Sequence, residues 1–173
     1  MLSRRFLAKL QRVDNEEELE WEPFDRYLAR VHPLLPTFPE EVIRDWVYRH
    51  CEELYRYDWL DFDRFVFRRE TWPTEKVIQE VQTWNEETVA AWEPLIDDGH
   101  PRRLETFMLT EGTWPVPISV IENPRAIPRP RARHFKEPFQ LLEGHHRLAY
   151  LRTLARTARA YPSHNIWIAT WRI

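Results

Sequence analysis

The stretch Phe139-Gln140-Leu141-Leu142-Glu143-Gly144-His145-His146-Arg147-Leu148 decides the fold. Phe139 to Leu142 has the length and apolar character of a short strand. Gly144 stops it. The chain holds only 3 glycines in 173 residues, so each is expected to mark a backbone position that needs one. Beyond it, Leu148, Leu151, Leu154, Ala155 and Ala158 recur at helical spacing and predict a helix from His145 to about Arg159. The amide groups of a helix N-terminus have no intrahelical acceptor, and the macrodipole adds partial positive charge, so anions bind there. This helix carries Arg147, Arg152, Arg156 and Arg159 and has no Asp or Glu between His145 and Arg159. Arg147 offers a planar fork suited to phosphate oxygens. His145 and His146 donate hydrogen bonds and titrate near neutral pH. Glu143 is placed to act as a general base, to hold Mg²⁺ beside a phosphate, or to pair with a nearby arginine.

Working outward, Asn165 to Ile173 alternates Ile166, Ile168 and Thr170 against Trp167, Ala169 and Trp171, as a strand does. Thr113 to Ile121 favours an extended conformation, with Pro115 and Pro117 suggesting an edge strand. The loop from Glu122 to Lys136 supplies Arg125, Arg129, Arg131, Arg133, His134 and Lys136 close in sequence to the helix start, and Arg133 is a candidate phosphate contact.

The first hundred residues read as helical. A short helix is expected from Pro23 to Val31. Thr37-Phe38-Pro39-Glu40 is a capping-box pattern, followed by Ile43, Trp46, Val47, Cys51 and Leu54 at helical spacing. Thr71-Trp72-Pro73-Thr74-Glu75 opens a further helix whose stripe is Val77, Val81, Trp84, Thr88 and Trp92, ended by Pro94. The starts at Thr37 and Thr71 lie one tetratricopeptide period apart, but only two copies exist and the rest of that signature is missing, so they are one capping solution used twice. Asp97-Asp98-Gly99-His100-Pro101 is a turn cluster. The expected class is therefore α+β: a helical subdomain over residues 1–100 and a small mixed-sheet domain over residues 101–173, or one compact unit containing both.

These residues carry a family resemblance. A strand followed by Gly-x-His-Arg at a helix start resembles the phosphate-binding motif of the ParB/sulfiredoxin superfamily, and Glu143-Gly144-His145-His146-Arg147-Leu148 is similar to its ParB-like form. Ile118-Ser119-Val120-Ile121-Glu122-Asn123-Pro124 resembles the strand and Asn-Pro turn of ParB-type domains. The resemblance covers Trp114 to Ile173 and implies nucleotide or phosphate handling, with Gly144, His146 and Arg147 as phosphate contacts. The implied cofactor is a nucleotide of the ATP or CTP class, with or without Mg²⁺. The chain also departs from the family. Sulfiredoxins carry a catalytic Cys where His145 stands, and the single cysteine here is Cys51. The second nucleotide-contacting motif and the helix-turn-helix of the DNA-segregation members are not recognisable.

Composition sets bounds. Hydrophobic residues make up 43% of the chain, enough for a core, and 9 Trp with 9 Phe make it aromatic. A net charge of −3 gives no global argument for nucleic acid, although the Arg-rich loop suits phosphates. A lone Cys51 excludes an intrachain disulfide and fits a reducing compartment, so a cytoplasmic protein is expected. No apolar run approaches the roughly 18 residues of a membrane span. Met1 to Arg12 resembles a very short Arg-rich targeting helix, but its shortness and the acidic residues that follow favour a docked surface helix. Asp58 to Asp63 lacks the glycine and terminal Glu of a calcium loop. Adjacent His145 and His146 project about 100° apart from a helix and poorly share a metal with His134.

Two functions follow. In the first, a ParB-like domain binds a nucleotide or phosphorylated ligand at Gly144 to Arg147, with Glu143 and His145 as catalytic candidates for phosphoryl transfer or phosphodiester hydrolysis. In the second, a non-catalytic bacterial interaction module of antitoxin or immunity type reuses the scaffold and binds a protein through Trp-rich helices, some of Trp21, Trp59, Trp72 and Trp114 facing the partner. A plain strand-to-helix turn with Arg147 paired to a carboxylate accounts for the same motif without a ligand.

Overall fold

The structure is a computed structural model that describes residues 4–15, 20–97, 99, 102–123 and 135–172. The chain forms two compact units, residues 1–67 with 170–173, and residues 68–169. This partition places residues 74–97 with the sheet, whereas the turn cluster from Asp97 to Pro101 suggested a division at residue 100.

The first unit contains α1 (Arg4–Lys9), the two-residue antiparallel strands β1 (Asp14–Asn15) and β2 (Glu20–Trp21), and α2 (Phe24–Val31). Then α3 (Glu40–Val42) widens into a π-helix over Ile43–Tyr48, and a 3₁₀ segment covers Cys51–Tyr57. The helical periodicity from Glu40 onward is thus present, but not as one α-helix. Its N-cap is Pro39, with no side-chain cap, so the expected box on Thr37 is not formed. Trp46, inside the π-helix, contacts Phe38, Tyr57 and Phe62 at centroid separations of 6.1, 5.4 and 5.9 Å. Phe38 also meets Phe65 and Phe67.

A five-stranded mixed sheet dominates the second unit. Its strands are β3 (Phe65–Pro73), β4 (Val81–Gln82), β5 (Ile118–Glu122), β6 (Phe139–Glu143) and β7 (Ser163–Trp171), in the order β3-β7-β5-β6-β4. Interleaved are α4 (Thr74–Glu80), α5 (Glu86–Trp92) with a 3₁₀ turn over Glu93–Asp97, α6 (Arg103–Glu111) and α7 (His145–Arg156). β4 runs parallel to β6, and β5 antiparallel to it. The α+β class is therefore correct, and three local expectations change.

β3 replaces the helical or loop character expected before Thr74. Its Arg68 and Arg69 are exposed and Glu70 is half-buried, as suits an edge strand blunted by charge. The helix begun at Thr74 ends at Glu80, because Val81 and Gln82 pair with Phe139 and Gln140; a new helix starts after the N-cap Asn85, whose side chain accepts from the Thr88 amide at 3.1 Å. β5 lies inside the sheet and not at its edge. Pro115 and Pro117 precede it, so the ladder loses no donor, and Ile118 to Ile121 are all buried. Such burial is worth about 1.5–3 kcal/mol per large aliphatic side chain.

All three glycines have positive φ. Gly112 ends α6 at φ 68°, and a Cβ there would lie 2.6 Å from the Arg159 carbonyl and 2.8 Å from the Tyr161 nitrogen. Gly112→Ala therefore combines left-handed strain with a clash against backbone. Urea denaturation is expected to show a loss of about 2 kcal/mol or more, with an unchanged m-value.

Candidate functional site

The turn forms where the motif predicted it. β6 ends at Glu143, Gly144 occupies φ 104° and ψ 30° as the N-cap, and α7 starts at His145. Any side chain at Gly144 would be strained by that φ. Its Cβ would also fall 2.5 Å from Ile118 Cγ2 and 3.1 Å from Arg147 Nε. The intrahelical ladder begins with the Leu148 amide donating to the Gly144 carbonyl at 2.9 Å, and no acidic residue lies in the first turn. A bulge between Ser119 and Val120 skips Leu142 and sets Glu143 opposite Ser119.

Arg147 turns inward. It is 7% exposed and donates from Nη1 to the Val116 carbonyl at 2.9 Å and to the Pro117 carbonyl at 3.4 Å. Its Nη2 donates to Glu143 Oε2 in a close ion pair. One guanidinium thus ties the end of β6, the start of α7 and the segment entering β5. Glu143 and Arg147 are brought together, each as the other's charge partner.

His146 lies outside this clamp and is exposed. Its ring stacks on Trp92 at 4.2 Å between centroids and 15° between planes. Its Nδ1 sits 3.4 Å from Tyr150 Oη, one helical turn on. Tyr150 in turn donates 2.7 Å to Oε1 of Glu105 on α6. Glu105 is 5% exposed, and its Oε2 has no hydrogen-bond partner. Burial holds the His146 imidazole below its ordinary range; nearby Glu105 opposes that shift and Arg102 reinforces it. Trp92 was read only as part of a helical stripe, and Tyr150 and Glu105 escaped the sequence reading. The spacing of Tyr150 from His146 was a usable signal, whereas no element had been assigned to residues 103–111.

His145 occupies the first helical position and is partly exposed. Arg133 and the other basic loop residues from Arg125 to His134 lie outside the described residues, as does Pro124. Asn123 is described and buried: its side-chain amide donates to the Phe135 carbonyl at 2.6 Å, and its backbone amide donates to the Pro138 carbonyl at 2.9 Å. Cys51 is buried in the first unit. Among the described residues, no group of three or more His, Cys, Asp or Glu side chains is placed to hold a metal. No described helix is long and apolar enough to cross a membrane. A shallow concavity of about 360 Å³ lies by Thr74, Ile78, Ala155, Ala158 and Pro162, toward the opposite end of α7 from Gly144. Trp72 and Trp114 are core residues at 3% and 5% exposure, which corrects their expected partner-facing role; Trp21 is exposed at 53% and Trp59 half-buried.

His164 is a second histidine with defined partners. Thr74 Oγ1 donates to the Tyr161 carbonyl at 2.5 Å, so it accepts from His164 Nε2 at 2.8 Å. Nδ1 then accepts from Thr113 Oγ1 at 2.8 Å. This neutral tautomer is fully satisfied, and burial lowers the imidazole to about 4, opposed by a hydrogen bond to the Tyr161 backbone carbonyl. It is a structural histidine.

Two outcomes follow for stability. Arg147→Ala leaves the Glu143 carboxylate without its cation and is expected to cost about 3 kcal/mol or more in urea denaturation; the double variant Glu143→Gln/Arg147→Met should cost less than that single change. For His164, the unfolded state binds the proton near pH 6.5 and the folded state only near 4. Its contribution is complete above about pH 6.5 and is lost as pH falls toward 4, on the order of 2 kcal/mol after allowance for solvent screening. His164→Gln should flatten the parent's fall in melting temperature across that window.

No family model, no curated protein and no solved structure matches the chain, so what the site does rests on its geometry.

Proposed function

We propose that this is a binding protein of ParB/sulfiredoxin-like type whose strand–Gly–His–His–Arg–helix turn receives the phosphate of a nucleotide or other phosphorylated ligand. One observation carries the reading. Gly144 has a conformation and a clearance that admit only glycine, and it opens a helix of 12 residues with no acid in its first turn. Amides and dipole at such an end favour an anion. His146, on the second helical position, is exposed beside it, and His145 precedes it on the first. Arg147 is read as the brace that shapes the turn, because its guanidinium is already spent on Glu143 and two carbonyls. Glu143 is equally engaged, which speaks for binding over phosphoryl transfer or hydrolysis. Any Mg²⁺ would arrive with the ligand's own phosphates.

A second reading, a protein-interaction module, is favoured by the same occupied guanidinium, since that module tolerates a filled turn. Its candidate contacts are exposed aromatics: Trp21 and Tyr55 in the first unit, Trp84, Phe107 and Tyr161 in the second.

The test is thermal stability against a panel of nucleotides, with and without Mg²⁺, for the parent and for His145→Ala/His146→Ala. Arg147→Ala is unsuitable because it breaks the brace. A ligand at about 100 times its dissociation constant adds roughly 2.7 kcal/mol of stability. A shift in the parent that is lost in the double variant supports the phosphate site. A folded parent that shifts with no nucleotide overturns it in favour of the interaction module.

A further inference from the structure

The array Glu105–Tyr150–His146 is more than packing requires. Glu105 is 5% exposed, yet only one of its carboxylate oxygens is hydrogen-bonded. An orphaned buried carboxylate oxygen is costly and is eased by positive charge nearby. Tyr150 is 1% exposed and has committed its hydroxyl proton to Glu105 Oε1 at 2.7 Å. Its oxygen therefore faces His146 Nδ1, 3.4 Å away, as an acceptor. The separation is long for a hydrogen bond and leaves room to tighten. In that arrangement the neutral imidazole carries its proton on Nδ1, and Nε2 is a bare lone pair. A bare lone pair repels an anion; an imidazolium Nε2–H would donate to it.

Resting on the phosphate-binding reading above, we propose that His146 takes up a proton when a phosphate group binds at the N-terminus of α7, and that Tyr150 and Glu105 are the positioning residues that stabilise the resulting imidazolium. The proton comes from solvent and is held on Nε2, shared with a phosphate oxygen; no covalent bond changes. The surrounding charges fit. Glu105 is the carboxylate on α6 that acts on His146, and Arg102, just before α6, is the opposing cation. On the α5 side, Glu86 is held by Arg152, and Glu93 by Arg152 and Arg156, while Trp92 offers His146 only its ring face. Because ligand and proton favour the same state, phosphate raises the His146 pKa by as much as acid tightens phosphate binding.

The experiment is an NMR titration of the full chain with inorganic phosphate as probe. It follows the His146 ring carbons from pH 5 to 8 and the amides of residues 145 to 148, for the parent, Tyr150→Phe and Glu105→Gln. In the parent, saturating phosphate should raise the His146 pKa by about one unit, with affinity for the phosphate dianion rising about tenfold per unit of acidification between its free and bound values. Tyr150→Phe removes the acceptor with little change of volume and should abolish most of that rise while amide shifts persist. Glu105→Gln should act in the same direction. Amide shifts with an unmoved His146 pKa, or a full rise in Tyr150→Phe, would overturn the proton-uptake inference and leave the phosphate site standing. Amides that respond neither to phosphate nor to any nucleotide of the panel would remove the phosphate site itself.

Discussion

The buried ion pair between Glu143 and Arg147 is the interaction on which the turn depends. Both groups sit one helical turn apart across Gly144, and a charge in that position is costly unless its partner is fixed. Arg147 answers by reaching past Glu143 to the carbonyls of Val116 and Pro117, which lead into β5. Three chain segments are therefore held by one planar group, whose fork geometry a lysine lacks. The glycine follows from this. With β6 ending at Glu143 and Arg147 folded back beneath the turn, the space above Gly144 is closed by Ile118 and by Arg147 Nε.

The sheet explains why that region is rigid. β5 and β6 are buried along almost their whole length and belong to one cluster with Leu148, Leu151 and Leu154 of α7. Tyr150, from the same helix, enters that cluster while directing its hydroxyl to Glu105. The polar array is thus anchored in apolar packing. His146, three residues after the end of β6, is presented from a fixed frame with only its ring exposed to choice of partner.

The strand–turn–helix was legible because three signals agreed there: a short apolar run, a rare glycine, and a helical stripe starting at Leu148. Where signals conflicted, the reading failed. The charged run Arg68-Arg69-Glu70 hid β3, because an edge strand tolerates charge that an inner strand does not. Val81 fitted a helical stripe as well as a strand, and only its distant partner Phe139 decides between them. Pro115 and Pro117 were read as edge signals, although both fall before the ladder begins. Gly144 was expected to mark a backbone position that needs glycine, and its φ of 104° is such a position. Arg147 was assigned to a ligand on its chemistry, while the structure gives its donors to the protein. Glu105 was invisible, since its role arises from a contact 45 residues away along the chain.

The inward turn of Arg147 has a consequence for how the site handles charge. A phosphate at the start of α7 would meet amides and a helix dipole, both fixed and both only partially positive. The guanidinium that a phosphate would otherwise recruit is neutralised by Glu143. Full positive charge on the ligand side must then come from a group able to acquire it, and His146 is exposed, adjacent and titratable. Its neutral state is favoured by the partial desolvation of its ring against Trp92 and Tyr150, and the Glu105 charge opposes that preference. On the proposed phosphate reading, Arg147 is the permanent charge that builds the turn, and His146 the conditional one that would face the ligand.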